Sequence, residues 1–436
     1  MRPEAIRTAA ALLIGVLAMP NVTAWAADQP GSRPLLTIPK AMQLAEQASP
    51  ELKAALQRER VTEQNITILK SFYYPTFDAE AIDSYGFPGS SRDLGISGLM
   101  GSPYRSGPAG GMTGNLTLYD PARGYALQAS REDVKAVQEQ TRVTRFGVDQ
   151  EALQIYFDAS RFRGQQATFL EVAGYVAEVA KEVEKFVRTG QRSVVDRLLV
   201  QDQTTDAQMT AASYQERYQV ALRRLAIATD QKPESLACPL PIEMTEQSLG
   251  LSDTAAGSPL IAQAAAVALA AHANISVYSS QNLPKLMATA SVGDMDEARL
   301  VGKKDYSGGF GVTLPLFEGY RISGEIQQAQ ALAAQRDQDL SAVRYQLDEL
   351  NARYDETINS SRIKLDYLTK EVEVARRAFR LAKERYFSFQ GTLVDVREAI
   401  RNLSRVQSEI IDVQTDLLLA VGSKALLNGS VVARSS

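Results

Sequence analysis

The second half of the chain repeats the first, and this duplication constrains the fold more than any other feature. Ser49-Pro50 ("ASPELKAALQ") is matched by Ser258-Pro259 ("GSPLIAQAAA"), and Tyr74-Pro75 ("YYPTFDAEA") by Leu283-Pro284 ("NLPKLMATA"), both pairs at one common offset. "LTLYDPARGYA" around Tyr119 is matched by "VTLPLFEGYRI" around Phe317, and "TGQRSVVDRL" around Asp196 by "SFQGTLVDVR" around Asp395, both at a slightly shorter offset. Four landmarks in the same order define a duplicated unit of roughly 200 residues, the kind of unit that builds symmetric architectures and the paired halves of transporters.

The N-terminal segment, 1–26, reads as a secretory signal peptide: Arg2 and Arg7 are the positive region, Ala9 to Met19 the apolar core, and Ala24-Trp25-Ala26 the small-x-small cleavage site. Removing that segment, which carries a net +1, leaves the mature chain at −5, a mildly acidic balance that argues against nucleic acid as a partner. Beyond it the longest unbroken apolar run is only Ala264 to Ala271. A spanning helix needs about 20 residues, so no helical membrane anchor is expected. A closed β-barrel stays open as a route across a membrane, because its strands need only about 9–11 alternating residues. The lone Cys238 has no intramolecular disulfide partner.

Within each unit the order reads helix, strand, Gly-rich loop, strand, very long helix, turn, long helix. Neither the stretch from Gly124 to Gly190 nor that from Gly319 to Gly391 contains a proline. At about 1.5 Å per residue these predict helices of roughly 100 Å, far longer than a globular domain needs. Leu340, Val343, Leu347, Leu350 and Tyr354 alternate steps of three and four; after a stutter to Ile358 the rhythm continues through Ser361, Leu365, Leu368, Val372, Ala375, Phe379 and Ala382 to Tyr386. This is a coiled-coil seam, and Val172, Val176, Val179, Val183 and Phe186 repeat it in the first unit. The expected organisation is therefore signal peptide 1–26; first repeat 27–229, with a strand pair in 72–119 and a helical hairpin in 122–228; connector 230–257; second repeat 258–428, with a strand pair in 283–317 and a hairpin in 319–427; and tail 429–436.

The strand candidates alternate. Phe310, Val312, Leu314 and Leu316 interleave with Gly311, Thr313 and Pro315; Leu286, Ala288, Ala290 and Val292 with Met287, Thr289 and Ser291; Phe77, Ala79 and Ala81 with Asp78 and Glu80; Leu116 and Leu118 with Asn115 and Thr117. One apolar and one polar face suit lipid outside and water inside, and equally a half-buried soluble hairpin. Gly-rich loops are expected at Ser84 to Gly111 and Gly293 to Gly309. The first is the longer, which accounts for the drop in offset between the landmarks, and it suits an outer surface. Four strands cannot close a barrel around an aqueous channel, so several copies must contribute strands to one barrel.

The whole mature chain resembles the outer-membrane channel family typified by TolC. The resemblance is carried by "ASPELKAALQRERV", "YYPTF", "LTLYDPARG", "VTLPLFEGYR" and the tips "RTGQRSVVD" and "RYFSFQGTLVDVREA", in this order and twice over. It implies a mainly α fold with β: a homotrimer whose twelve strands form one outer-membrane β-barrel in lipid and whose long hairpins form a periplasmic α-barrel. It further implies passive exit of small molecules or polypeptides, driven by an inner-membrane pump of ABC or RND type through a periplasmic adaptor (membrane fusion) protein. Family carboxylates at the periplasmic aperture map onto Asp395 and Glu398, which share a helix face at i, i+3. A solvated acidic face with Glu398 paired to Arg401 is the alternative. Tip contacts map onto Asp196 and Tyr386, with Gly391 where the family has arginine. Tyr386 is also the last seam residue, so packing and gating compete there, and Gly190 and Gly391 are expected to permit the tip turns. The tip "SFQGTLVDV" is similar to those of protein-exporting type I secretion channels.

No catalytic constellation is visible. His272 is the only histidine, which leaves a triad or a His/Cys metal site without partners, and no cofactor motif occurs: Gly107 to Gly114 lacks the Lys-Ser/Thr of a phosphate loop. Asp78 and Glu80 on a lumen-facing strand are expected to tune ion selectivity rather than to act as acid and base. The competing function is a soluble periplasmic coiled-coil adaptor or scaffold.

Overall fold

The computed structural model describes residues 35–84, 107–251, 257–294 and 304–430. The signal peptide, most of both Gly-rich loops and the end of the C-terminal tail lie outside them. Helices α1 (Ile38–Ala48) and α2 (Pro50–Ser71) lead into strands β1 (Thr76–Ser84) and β2 (Gly107–Tyr119), then α3 (Pro121–Arg188) and α4 (Val194–Thr229). The second repeat runs α5 (Pro259–Ser279), β3 (Lys285–Asp294), β4 (Lys304–Thr313), α6 (Arg321–Phe387) and α7 (Leu393–Leu427). The sequence predicts one helix at the start of each repeat, yet the first opens on two. Pro50 cannot donate to Glu46 of the preceding turn, and Ser49 starts a fresh helix by accepting the Leu52 N–H at 3.2 Å.

Helices α3 and α6, 68 and 67 residues long, each run from the end of a strand pair to a hairpin tip. Shorter helices pack along them in two tiers: α2 and α5 beside their N-terminal parts, α4 and α7 beside their C-terminal parts, with α3 against α7 joining the repeats. The stutter at Tyr354–Ile358 falls where α7 ends, marked by the reciprocal amide bonds of Asn351 and Asn428 (3.3 and 3.1 Å). Below it Ile358, Ser361, Leu368, Val372, Ala375, Phe379 and Tyr386 are buried as a seam. Above it the expected seam thins: Leu350 is exposed, while Ala329 and Ala333 are buried on the stretch of α6 that runs beside α5. The stutter thus marks a change of packing partner. Helix α5 and the 3-10 turn after it, Pro259–Asn282, are apolar enough by length and composition to cross a membrane, with mean hydropathy 1.6. That apolarity is largely alanine packed between α3 and α6, and His272 on its outer side pairs with Asp337 of α6 at 3.0 Å.

The strands form one antiparallel sheet in the order β1-β2-β3-β4. Its register gathers Phe77 and Ala79, Met112 and Leu116, Ala288, Ala290 and Val292, and Tyr306, Phe310 and Val312 on one face. That face is open: Tyr306 and Phe310 are 85% and 81% exposed. The opposite face carries Asp78, Thr113, Asn115, Thr289, Ser291 and Ser307, cross-linked by Thr289 Oγ1 donating to Asn115 Oδ1 (3.0 Å) and by the Ser291–Ser307 hydroxyl pair (2.7 Å). Glu80 stands opposite Gly111 in register, at a position on the same side as Asp78. Three expectations are corrected. Gly107, Gly110 and Gly111 lie in β2 rather than in the loop; Leu118 sits at a bulge between Thr117 and Tyr119; and Leu314 and Leu316 fall after β4, where Pro315 offers no N–H to a ladder. At the strand-to-helix junction Asp120 caps α3 through the Ala122 N–H (3.0 Å) and pairs with Lys285 of β3 (3.3 Å).

Two main cores result. The equatorial one joins α1 and the middle of α3 to the ends of α4 and α7 and to the connector, with Tyr156 donating to the Leu36 carbonyl at 2.7 Å. The second fills the lower hairpins, from Val172 to Val183 on α3 across to Leu368, Phe379, Val396 and Leu403.

Candidate functional site at the hairpin tips

Both hairpins turn on the same backbone path, Thr189–Ser193 and Ser388–Thr392, with equivalent backbone bonds: Gln191 N–H to the Phe186 carbonyl and Gln390 N–H to the Arg385 carbonyl, each 2.8 Å. Each path needs one left-handed residue at its second position. In the first tip this is Gly190 (φ +74°), but in the second it is Phe389 (φ +64°), which corrects the assignment of that role to Gly391. The Phe389 ring holds its place by packing edge-on to Phe186 at 5.2 Å. Gly391 answers a different demand, close approach: a Cβ there would stand 3.2 Å from the Tyr386 nitrogen.

Asp196 and Tyr386 come together across the two hairpins, the phenol donating to Asp196 Oδ2 at 3.0 Å. Tyr386 is completely buried, so it ends the seam and reaches the partner hairpin at once. Burial, followed by the bond to Asp196, pushes its phenol up to about 12, which keeps it a neutral donor at any physiological pH.

Sequence reasoning missed Arg192. From the first tip its Nη2 donates to the Tyr386 carbonyl (2.6 Å) and to the Gly391 carbonyl (3.4 Å), and its guanidinium carbon lies 4.2 Å above the Tyr386 ring and 5.0 Å from that of Phe389. The signal was present in the repeat: Arg192 and Gly391 occupy equivalent positions. Further up, Lys383 bonds Glu178 at 2.6 Å, and Gln165 and Ser408 bridge α3 to α7 at 2.7 Å.

Asp395 and Glu398 point to solvent and touch nothing on the first tip. Asp395 closes a capping box, accepting the Thr392 N–H at 3.0 Å while its own N–H bonds Thr392 Oγ1 at 3.3 Å. The Thr392 N–H bond holds its carboxyl below the ordinary carboxylate range, so it carries full charge. Glu398 sits 3.5 Å from Arg401, both side chains 70% exposed, a geometry worth only a few tenths of a kcal/mol. In a single chain, therefore, the solvated pairing of Glu398 is present beside an Asp395 whose ionised form the Thr392 N–H favours.

A duplicated strand pair and long hairpin, a sheet with one open apolar face and two unpaired edges, and interlocked tips define an outer-membrane channel protein of two-tier helical build. The outer membrane efflux protein family matches residues 41–230 and 250–423, leaving out most of the connector, and the chain belongs to that family. Among curated relatives it is similar to the pyoverdine export outer membrane protein OpmQ of Pseudomonas putida, 26% identical across 78% of this chain and 66% of that protein. The same protein of Pseudomonas aeruginosa is 27% identical across 81% of this chain and 72% of its own length. The chain thus spans about two thirds of the length of the curated relatives it matches. Among solved structures it is similar to the outer membrane protein VceC of Vibrio cholerae, with a TM-score of 0.74 at 18% identity over 90% of this chain and 96% of that one.

Proposed function

We propose that the protein is the exit duct of a tripartite efflux system: three copies form one passive channel, with a twelve-stranded barrel in the outer membrane and an α-barrel in the periplasm. An inner-membrane pump acting through a periplasmic adaptor supplies the energy. The sheet carries this reading. Its exposed apolar face and the free N–H and C=O groups along β1 and β4 are tolerable only where lipid covers the one and a further strand pairs the other. Copies joined β4 to β1 satisfy both, whereas a soluble scaffold leaves Phe310 and Tyr306 in water. The relatives are named for pyoverdine export, which favours efflux of a secreted compound over the export of proteins.

In the assembled channel Asp395 and Glu398 from each copy supply a ring of acids at the periplasmic end, and the sheet face that carries positions Asp78 and Glu80 lines the barrel lumen. Within one chain β1 and β4 are three strand spacings apart, about 14 Å, beyond the reach of a disulfide. With Cys238 replaced by alanine, cysteines at Ala79 and at one of a series of β4 positions from Tyr306 to Thr313 are therefore expected to cross-link copies into a ladder ending at trimer. Cross-linking absent across the whole series would refute closure by these edges.

A further inference from the structure

We propose that Arg192 is the clamp that keeps the second hairpin tip docked on the first in the closed channel, gripping backbone carbonyls and rings instead of a carboxylate. This rests on the channel reading and names the residue that regulates its periplasmic end. Arg192 and Gly391 are equivalent by the repeat, and Gly391 sits close against its own hairpin, where a Cβ would stand 3.2 Å from the Tyr386 nitrogen. From the first tip Arg192 reaches two carbonyls of the other hairpin through Nη2 alone, at 2.6 and 3.4 Å, while the face of its guanidinium covers Tyr386. The Tyr386 carbonyl belongs to the last turn of α6, where the helix dipole adds negative potential beneath the guanidinium. Among the described residues no carboxylate lies within ion-pairing distance of Arg192.

Two consequences separate this clamp from a closure made by acids alone. It lies inside each protomer, so every hairpin pair is held whether or not its neighbours move. It also resists salt and divalent ions more than an exposed charge ring does, since no exposed counter-charge is there to be screened. Lysine is a poor substitute, because its ammonium has no planar face to lay over the Tyr386 ring while it donates to the carbonyls. The phenol–Asp196 bond is a separable second contact, because Tyr386→Phe removes it and leaves the ring and the carbonyl for Arg192.

The test is single-channel recording of the full-length protein in planar bilayers at about 0.1 and 1 M salt, for the wild type, Arg192→Ala, Arg192→Lys and Tyr386→Phe, each checked for oligomer formation. Arg192→Ala is expected to raise conductance or open probability several-fold at both salt levels, Arg192→Lys to recover less than half of the closure, and Tyr386→Phe to open less than Arg192→Ala. A conducting wild type matched by Arg192→Ala, or a Tyr386→Phe that opens as far, overturns the clamp alone. Should Arg192→Ala fail to assemble, Arg192→Lys decides, and wild-type behaviour in that variant overturns the clamp. If the wild type and every variant fail to conduct, the channel reading falls and the clamp falls with it.

Discussion

The two hairpin tips follow one backbone path, and four pairs of equivalent positions set them apart most: Gly190 against Phe389, Arg192 against Gly391, Asp196 against Asp395 in what each contacts, and Leu199 against Glu398. The two aspartates show what the difference teaches. Each is the third residue of its helix, yet Asp196 reaches across to the Tyr386 phenol while Asp395 turns back to cap its own helix through Thr392. The first tip has become the side that grips, with Arg192 and Asp196. The second has become the side that is gripped, and it presents exposed Asp395 and Glu398 away from the contact. Duplication supplied the shared backbone path; divergence at these positions supplied the contacts between the tips.

After Arg192→Ala, the largest effect expected from breaking this division is on Asp196. Asp196→Ala strips the buried Tyr386 hydroxyl of its acceptor and costs about 1–3 kcal/mol of tip stability, read as faster hydrogen exchange at both turns. Next comes the second tip: Asp395→Ala with Glu398→Ala raises conductance and weakens block by divalent cations, while Thr392 keeps its own cap bond to the backbone N–H of residue 395. An unchanged single-channel current would remove the acids from the aperture. The left-handed positions should respond unequally. Gly190→Ala is expected to cost about 1–2 kcal/mol, whereas Phe389→Gly trades relief of backbone strain for the lost contact with Phe186 and stays within about 0.5 kcal/mol of wild type. Equal losses in the two would undo the claimed difference between the turns.

The smallest tip effect is that of pH. With Tyr386 raised to about 12 and Asp395 held low, the tips should keep their exchange protection between roughly pH 6 and 9. The equator behaves otherwise. Burial first, then the nearby Glu46, push Asp149 from 3.8 up to about 8, so the fold binds a proton that the unfolded chain releases. A raised carboxyl makes stability fall as pH rises from about 4 through 8. Loss of exchange protection around α1 and mid-α3 across that range, flattened in Asp149→Asn, is the expected contrast. A flat wild-type profile would contradict it.

Much of this is legible in the sequence because it depends on period and length. The repeat, the two very long helices, the lower seam and the alternating strands all follow from patterns that any helix or sheet must satisfy. Even the stutter at Tyr354–Ile358 is visible there, although its cause, the end of α7, needs the structure. What stays hidden depends on contacts between distant segments. Arg192 is one of 47 basic residues until α6 is brought beside it, and an aromatic residue at a left-handed position runs against its own preference, so Phe389 yields to glycine in any sequence-based choice. The cap at Asp395 is written in the sequence all the same, since Thr392-x-x-Asp395 has the spacing of a capping box. Helix α1 carries a helical period too, Ile38, Ala41, Met42 and Ala45 at i, i+3, i+4 and i+7, and all four are buried; what the sequence hides is that Ser49-Pro50 divides it from α2 and that α3 and α4 are its partners.

The central claim is that this chain assembles into a water-filled conduit closed at its hairpin tips. Recording from detergent-extracted wild-type protein in a planar bilayer tests it most directly. The expected result is a trimer that needs detergent for extraction and inserts in discrete conductance steps. A protein that is recovered in aqueous buffer without detergent and gives no steps would contradict it.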